Sequence, residues 1–234
     1  MKPIRVSHTL LLAATAMLSC TERNVPTASR DQEAIAFDGA AAAGMSAVVL
    51  DAIGDVKKQA PAWLDLVSAS ITRRDGRFFF EAELAAPIPT DPALDPAVPE
   101  HSDHLCVGHG LDTDPTTPVG YPFGKNEANY AEFYVAMCWT PTGSFGLGTG
   151  FNGLLLDRRP LLSGGQVVVA PVQLSIQGTH VSIVVDAAAL GDPAAFAWAA
   201  FTEIAKQADP NDAAWFPDLA PDLNLGAPFA IWPQ

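Results

Sequence analysis

Alternation of apolar and polar side chains around an Asp-Gly pair constrains this chain more than any other feature. Phe78, Phe80, Ala82 and Leu84 take turns with Phe79, Glu81, Glu83 and Ala85, the period-two pattern of a strand with one oily face. Before it, Leu64 to Thr72 sets Val67, Ala69 and Ile71 on one face, while Leu64 and Leu66 are out of step by one, so a bulge is expected near Leu66. Between the two runs stands Arg74-Asp75-Gly76-Arg77, and Asp-Gly supplies the positive φ angles that a two-residue hairpin turn requires. The same alternation returns over Glu132–Trp139, where Phe133, Val135, Met137 and Trp139 oppose Glu132, Tyr134, Ala136 and Cys138, and Leu105 and Val107 bracket Cys106 likewise. Phe145, Leu147 and Leu154–Leu156 suggest a glycine-rich strand pair. Val167–Ile176 with Val181, Ile183 and Val185 reads as a second hairpin, turning at Gln177-Gly178-Thr179. Short strands punctuated by Gly, Pro and Asx turns make the fold class all-β, an antiparallel sandwich of immunoglobulin- or jelly-roll-like form.

Two segments near the carboxyl end are less regular. Residues 193–206 fit either of two readings. Asp192 caps a helix that starts at Pro193 and aligns Phe196, Ala200 and Ile204, or Phe196–Phe201 is a strand of alternating aromatics. Trp215 to Asp222 reads as a proline-punctuated loop, returning to a final short strand around Phe229–Trp232.

The amino end has a different character. Lys2 and Arg5 precede an apolar run from Thr9 to Leu18, too short for a permanent span, which takes roughly 20 apolar residues. It reads as an export signal over residues 1–19. Met17-Leu18-Ser19-Cys20 resembles the lipobox of bacterial lipoproteins, with Met17 where leucine is usual. The resemblance implies that Cys20 is lipidated and becomes the first mature residue; cleavage near Ala16, giving a free secreted protein, is the alternative. Several acyl chains on one residue supply the second signal that stable anchoring needs. Residues 20–44 are small, polar and aperiodic, a tether, and 45–234 form the single domain.

Three cysteines are an odd number for an exported chain. Lipidation of Cys20 leaves Cys106 and Cys138 to pair, as expected in an oxidising compartment; closing a loop of about 30 residues stabilises by a few kcal/mol. The chain carries 26 acidic against 13 basic residues, and loss of Lys2 and Arg5 with the leader makes the remainder more acidic. Nucleic acid is excluded as a partner on that balance.

Asp51-Ala-Ile-Gly-Asp55, followed by Asp65, sets carboxylates on a tight loop and the strand after it. Oxygen donors of this kind suit a hard cation such as calcium, and the alternative is a solvated Asx turn. His101, Asp103, His104 and His109 are spaced for a zinc site, but a strand through Leu105–Val107 sends His104 and His109 to opposite faces. Glu81 and Glu83 share a strand face, as two hydrolytic carboxylates or simply as solvated acids. There is no Gly-x-Ser-x-Gly elbow, and Gly143–Gly153 lacks the lysine of a phosphate loop.

Asp51-x-x-Gly-Asp55, Pro61-x-Trp63-Leu64-Asp65-Leu66-Val67-x-Ala69, Asp75-Gly76 and Phe78-x-Phe80 together resemble the opening of secreted sandwich modules related to DOMON domains, family-nine carbohydrate-binding modules and the C-terminal module of glucodextranase. Leu111-Asp112-Thr113-Asp114-Pro115 resembles their central strand end, and Trp198 with Asp218-Leu219-Ala220-Pro221-Asp222 their closing strand and loop. The resemblance implies structural calcium at Asp51, Asp55 and Asp65, and a strand rather than a helix at Phe196–Phe201. It also implies glycan binding, for which Tyr121 and Trp215 are the loop aromatics available, whereas Trp139 and Trp198 sit in core rows. The function expected is a non-catalytic binding or structural module of the bacterial cell envelope, anchored to membrane by its lipid, with a glycan or envelope protein as partner. A metal- or carboxylate-dependent hydrolase is the alternative.

Overall fold

Two antiparallel sheets, of five and seven strands, face each other across one core in the computed structural model. It describes residues 45–56, 60–114, 116, 131–206, 215–223 and 227–233. The five-stranded sheet contains β1 (Met45–Leu50), β2 (Leu66–Arg74), β3 (Arg77–Leu84), β8 (Gln173–Gln177) and β9 (His180–Asp186), in the order β1-β2-β3-β9-β8. The seven-stranded sheet contains β4 (Ser102–Asp112), β5 (Phe133–Thr140), β6 (Gly150–Asp157), β7 (Val168–Pro171), β10 (Phe196–Lys206), β11 (Trp215–Ala220) and β12 (Ala230–Trp232). Its order is β11-β10-β4-β5-β6-β7, with β12 also paired to β10. Only short 3-10 turns interrupt the strands, and among the described residues no helix is long and apolar enough to cross a membrane.

The Asp-Gly hairpin forms β2 and β3, with Asp75 and Gly76 at φ +51° and +71°, the left-handed pair that matches strand twist. The bulge lies between Leu66 and Ser68. It turns Leu66 into the core and leaves Val67 half-buried, so the inward row runs Leu66, Ala69, Ile71 rather than through Val67. Phe78 and Phe80 from β3 meet Leu105, Val107, Phe133, Val135 and Trp198 from the other sheet, all fully buried. Each such ring or aliphatic side chain contributes about 1.5–3 kcal/mol of transfer free energy.

Within residues 193–206, Phe196–Lys206 is strand: β10 is the long partner of β4, pairing from Ala197↔Asp112 to Lys206↔Ser102. Tertiary pairing here overrides the helix propensity of the alanines. Trp215–Ala220, read as a loop, is instead the edge strand β11; its proline sits where an edge tolerates a missing amide hydrogen. Val167–Ile176 does not form one arm of a hairpin. It divides at Val172, so that β7 belongs to one sheet and β8 to the other. Gly153 permits that corner, because a Cβ there would lie 2.7 Å from the Val172 carbonyl oxygen and 2.9 Å from the Leu174 Cβ. Phe145 lies within the 3-10 turn Ser144–Gly146 and Leu147 ends it, both outside any strand, and β6 pairs with β5 and β7 instead.

Cys106 and Cys138 face each other directly across β4 and β5 and are joined as a disulfide. The bridge lies on the outer face of the seven-stranded sheet. There Cys106, Tyr134, Ala136, Cys138, Leu154 and Phe201 belong to a second buried apolar cluster.

Candidate functional site

The sandwich brings its acids together at the side where β1, β2 and β11 meet. Asp51 follows β1 directly, and its amide donates to the Val67 carbonyl at 2.9 Å, which holds the loop start against β2. Gly54, at φ +89°, turns the loop back, and its amide donates to Asp65 Oδ2 at 2.8 Å. Asp218 arrives from β11 on the face that looks toward the other sheet: Oδ2 accepts the Leu66 amide at 2.6 Å and Oδ1 accepts the Leu219 amide at 2.8 Å. Beside it, the Thr202 hydroxyl donates to the Leu64 carbonyl at 3.0 Å, a second polar link between the sheets.

Asp51, Asp55 and Asp218 each present a carboxylate oxygen, all within 4.8 Å of one another. Asp65 stands beside this trio and shapes the loop through Gly54. Its Oδ1 and the Oδ2 of Asp51 are buried and have no hydrogen-bond partner. Asp218 was not singled out as a ligand in the sequence, because its partners are far away along the chain; the available signal was the acid pair Asp218 and Asp222 flanking Ala220-Pro221.

Electrostatics reflect the crowding. Burial, then the charge of Asp55 and more weakly of Asp222 and Asp65, pushes the Asp51 carboxyl up to about 6. Burial, then Asp51 and Asp55, pushes Asp218 up to about 7, against the amide hydrogen bonds that favour its ionised form. Asp55 is raised too, by burial first and then by Asp65 and Asp222. Groups raised in this way are stabilising while protonated, and that contribution is lost as pH rises through the folded values of about 6 and 7. At neutral pH the cluster therefore favours either a proton or a cation. An all-oxygen donor set fits a hard divalent ion of the calcium class.

The histidines do not converge. His101 is exposed, His104 lies on the outer face against Asp103 (2.9 Å) and Glu203 (3.6 Å), and His109 is fully buried in the core. Burial works against a charged His104, but Glu203 and Asp103 outweigh it and raise its pKa. His104, Cys106 and Glu203 come within 4.8 Å of one another, but the Cys106 sulfur is spent in the disulfide. Glu81 and Glu83 share the outer face of the five-stranded sheet, where His180 lies 3.9 Å and 3.4 Å from them. Ser70 donates to Glu81 at 3.2 Å, and Thr179 donates to Glu83.

Tyr121 lies outside the described residues, and for Trp215 only its backbone place opposite Ile204 is described. Trp198 is fully buried, as its row implies. Trp139 is 8 % exposed and contributes to the wall of a cavity of about 420 Å³ with Leu94, Asp95, His101, Ser102 and Thr142. No family model and no curated protein matches this chain.

Proposed function

We propose that this chain is a bacterial cell-envelope lipoprotein, exported by residues 1–19 and anchored through Cys20, whose sandwich is a calcium-stabilised, non-catalytic binding or structural module. The convergence of Asp51, Asp55 and Asp218 from both sheets carries this reading. An ion bound there would join β1, β2 and β11, neutralise the repulsion that raises Asp51 and Asp218, and occupy the unpartnered oxygen of Asp51. Both Asp218 oxygens are fixed by backbone amides, which suits a rigid ligand better than a group that must swing protons. For the ligand of the module, a glycan is the class proposed, with the cavity lined by Leu94, Asp95, Ser102, Trp139 and Thr142 as the concave surface available to it.

Scanning calorimetry of the mature protein, with calcium and then with chelator at pH 7.5, tests the cation. We expect the melting temperature to rise by several degrees in calcium, and the Asp51→Asn/Asp218→Asn double variant to lose that rise. Equal melting with and without chelator would remove the site. Electrophoresis through gels containing soluble polysaccharide tests the ligand class, retardation being expected. The mutually raised Asp51 and Asp218 also suit an acid–base pair, so release of reducing ends from the polysaccharide would move the reading to a hydrolase.

A further inference from the structure

The outer face of the seven-stranded sheet carries a polar group beside its disulfide. Glu203 of β10, Cys106 of β4 and Cys138 of β5 occupy one row across three adjacent strands, through the pairs Glu203↔Cys106 and Cys106↔Cys138. His104 lies two residues before Cys106 and therefore on the same face of β4. A ring nitrogen of His104, the Cys106 sulfur and a Glu203 carboxylate oxygen all lie within 4.8 Å of one another.

The imidazole is held in the orientation that a metal ligand needs. Its Nδ1 donates to Asp103 Oδ2 at 2.9 Å, and the Ser144 hydroxyl fixes the other Asp103 oxygen at 2.8 Å. Nε2 is left on the Glu203 side, 3.6 Å from Oε1, too far for a good hydrogen bond. A carboxylate that grips one ring nitrogen while the other is presented is the support that histidine ligands usually have. The Phe145 ring lies 4.8 Å from the imidazole, and Cys106 belongs to the apolar cluster with Tyr134 and Phe201. The floor of the group is thus apolar, while His104 and Glu203 stay half-buried at its mouth.

We propose that reduction of the Cys106–Cys138 disulfide opens a zinc site formed by His104, Cys106 and Glu203. A dithiol supplies two electrons and two protons: the S–S bond breaks, both cysteines become thiols, and the dithiol closes to a cyclic disulfide. Zinc then takes the Cys106 sulfur as thiolate, and the thiol proton leaves to solvent. Sulfur and imidazole donors select zinc over hard cations. Thiolate and carboxylate together cancel the charge of the ion above the apolar floor, and the fourth position is left to water. An external disulfide reverses the change. It is reduced to two thiols with one proton from Cys138 and one from solvent, and the rejoined cysteines release the metal. This site shares no residue with Asp51, Asp55 and Asp218 and takes an ion of a different class.

Anaerobic titration with cobalt(II), which gives a sulfur-to-metal charge-transfer band when a thiolate binds it, tests the proposal. The chain carries Cys20→Ser, so that Cys106 and Cys138 are its only cysteines. A water-soluble phosphine, oxidised to its oxide with oxygen from water, serves as a reductant that competes little for metal. Oxidised protein should show no band, and reduced protein should develop one that saturates at one equivalent and is abolished by zinc. Cys138→Ala should show the band with no reductant, because Cys106 is then free; Cys106→Ala should show none in either state. Asp103→Asn should weaken binding by about 10–100-fold. Absence of the band in both reduced protein and Cys138→Ala overturns the site. So does a band that persists in Cys106→Ala, or one undiminished in His104→Gln/Glu203→Gln, which would assign the metal to thiols alone. Loss of the sheet signal in circular dichroism on reduction also overturns it, since the ligands would then no longer meet.

Discussion

His109 is the residue whose chemistry is most at odds with its surroundings. It sits on the inward row of β4, with ring centroids 5.4 Å from Phe80 and 5.6 Å from Trp198. Burial pushes its pKa from 6.5 down to about 3, against a smaller opposing effect of the Glu81 main chain. The unfolded chain takes up this proton first as pH falls. The contribution of a neutral His109 is thus complete above 6.5 and is lost between there and about 3, on the order of 5 kcal/mol in full. Asp51 and Asp218 act in the opposite sense, since their raised values favour the fold as pH falls below 7. Urea unfolding in chelator at a series of pH values separates the two: His109→Phe should flatten the loss of stability below pH 6.5 while leaving the aspartate contribution intact, and an unchanged slope would refute the assignment. Alternation in the sequence sets His109 only on the face opposite His104, and solvated loop histidines are the alternative there, so its burial in the core was not legible. Its depressed pKa could not be read there, because that depends on rings supplied by β3 and β10.

At the scale of elements, the strands that could be read were those whose own alternation records both faces. β3 and β5 are of this kind, with apolar residues recurring at every second position, and β2 is too beyond its bulge at Leu66. β11 was missed because Pro217 and Asp218 are loop signals by composition, and only pairing with β10 makes them strand. The division of β7 from β8 was missed for another reason: period two reports which face is buried but not which sheet owns the strand. The same blindness hid Asp218, which meets Asp51 and Asp55 only after β11 has docked beside β10. The disulfide, by contrast, followed from counting, and its place opposite the inward row of β5 followed from alternation. Thiol titration of the denatured, unreduced mature protein should find no free thiol from Cys106 or Cys138, and a positive count would reject the bridge. Cys106→Ala/Cys138→Ala should lower stability by about 3 kcal/mol in urea unfolding, with both sheets retained by circular dichroism, because the bridge joins strands already paired within one sheet.

For the whole molecule, the two inner faces supply the cohesion and the acids supply the conditions under which it holds. The chain carries a formal charge of −13, and Asp51, Asp55 and Asp218 bring three of its carboxylates within 4.8 Å of one another. The amino-terminal reading has its own test. In a bacterial host, Cys20→Ser should shift the protein from the membrane fraction to the soluble exported fraction, detected by immunoblot, and continued sedimentation with membranes would refute lipid anchoring. Under the proposed anchoring through Cys20, β1 is the strand that would bear the pull. Its first residue, Met45, pairs with Arg73, and its last, Leu50, pairs with Ser68 just before Asp51. A tug at the amino end would therefore peel the strand away one rung at a time from Met45 onward, and the carboxylates at Asp51 stand where such a tear arrives. A cation held there would act as a rivet at the end of the seam; without one, the tear would run on into the bulge of β2.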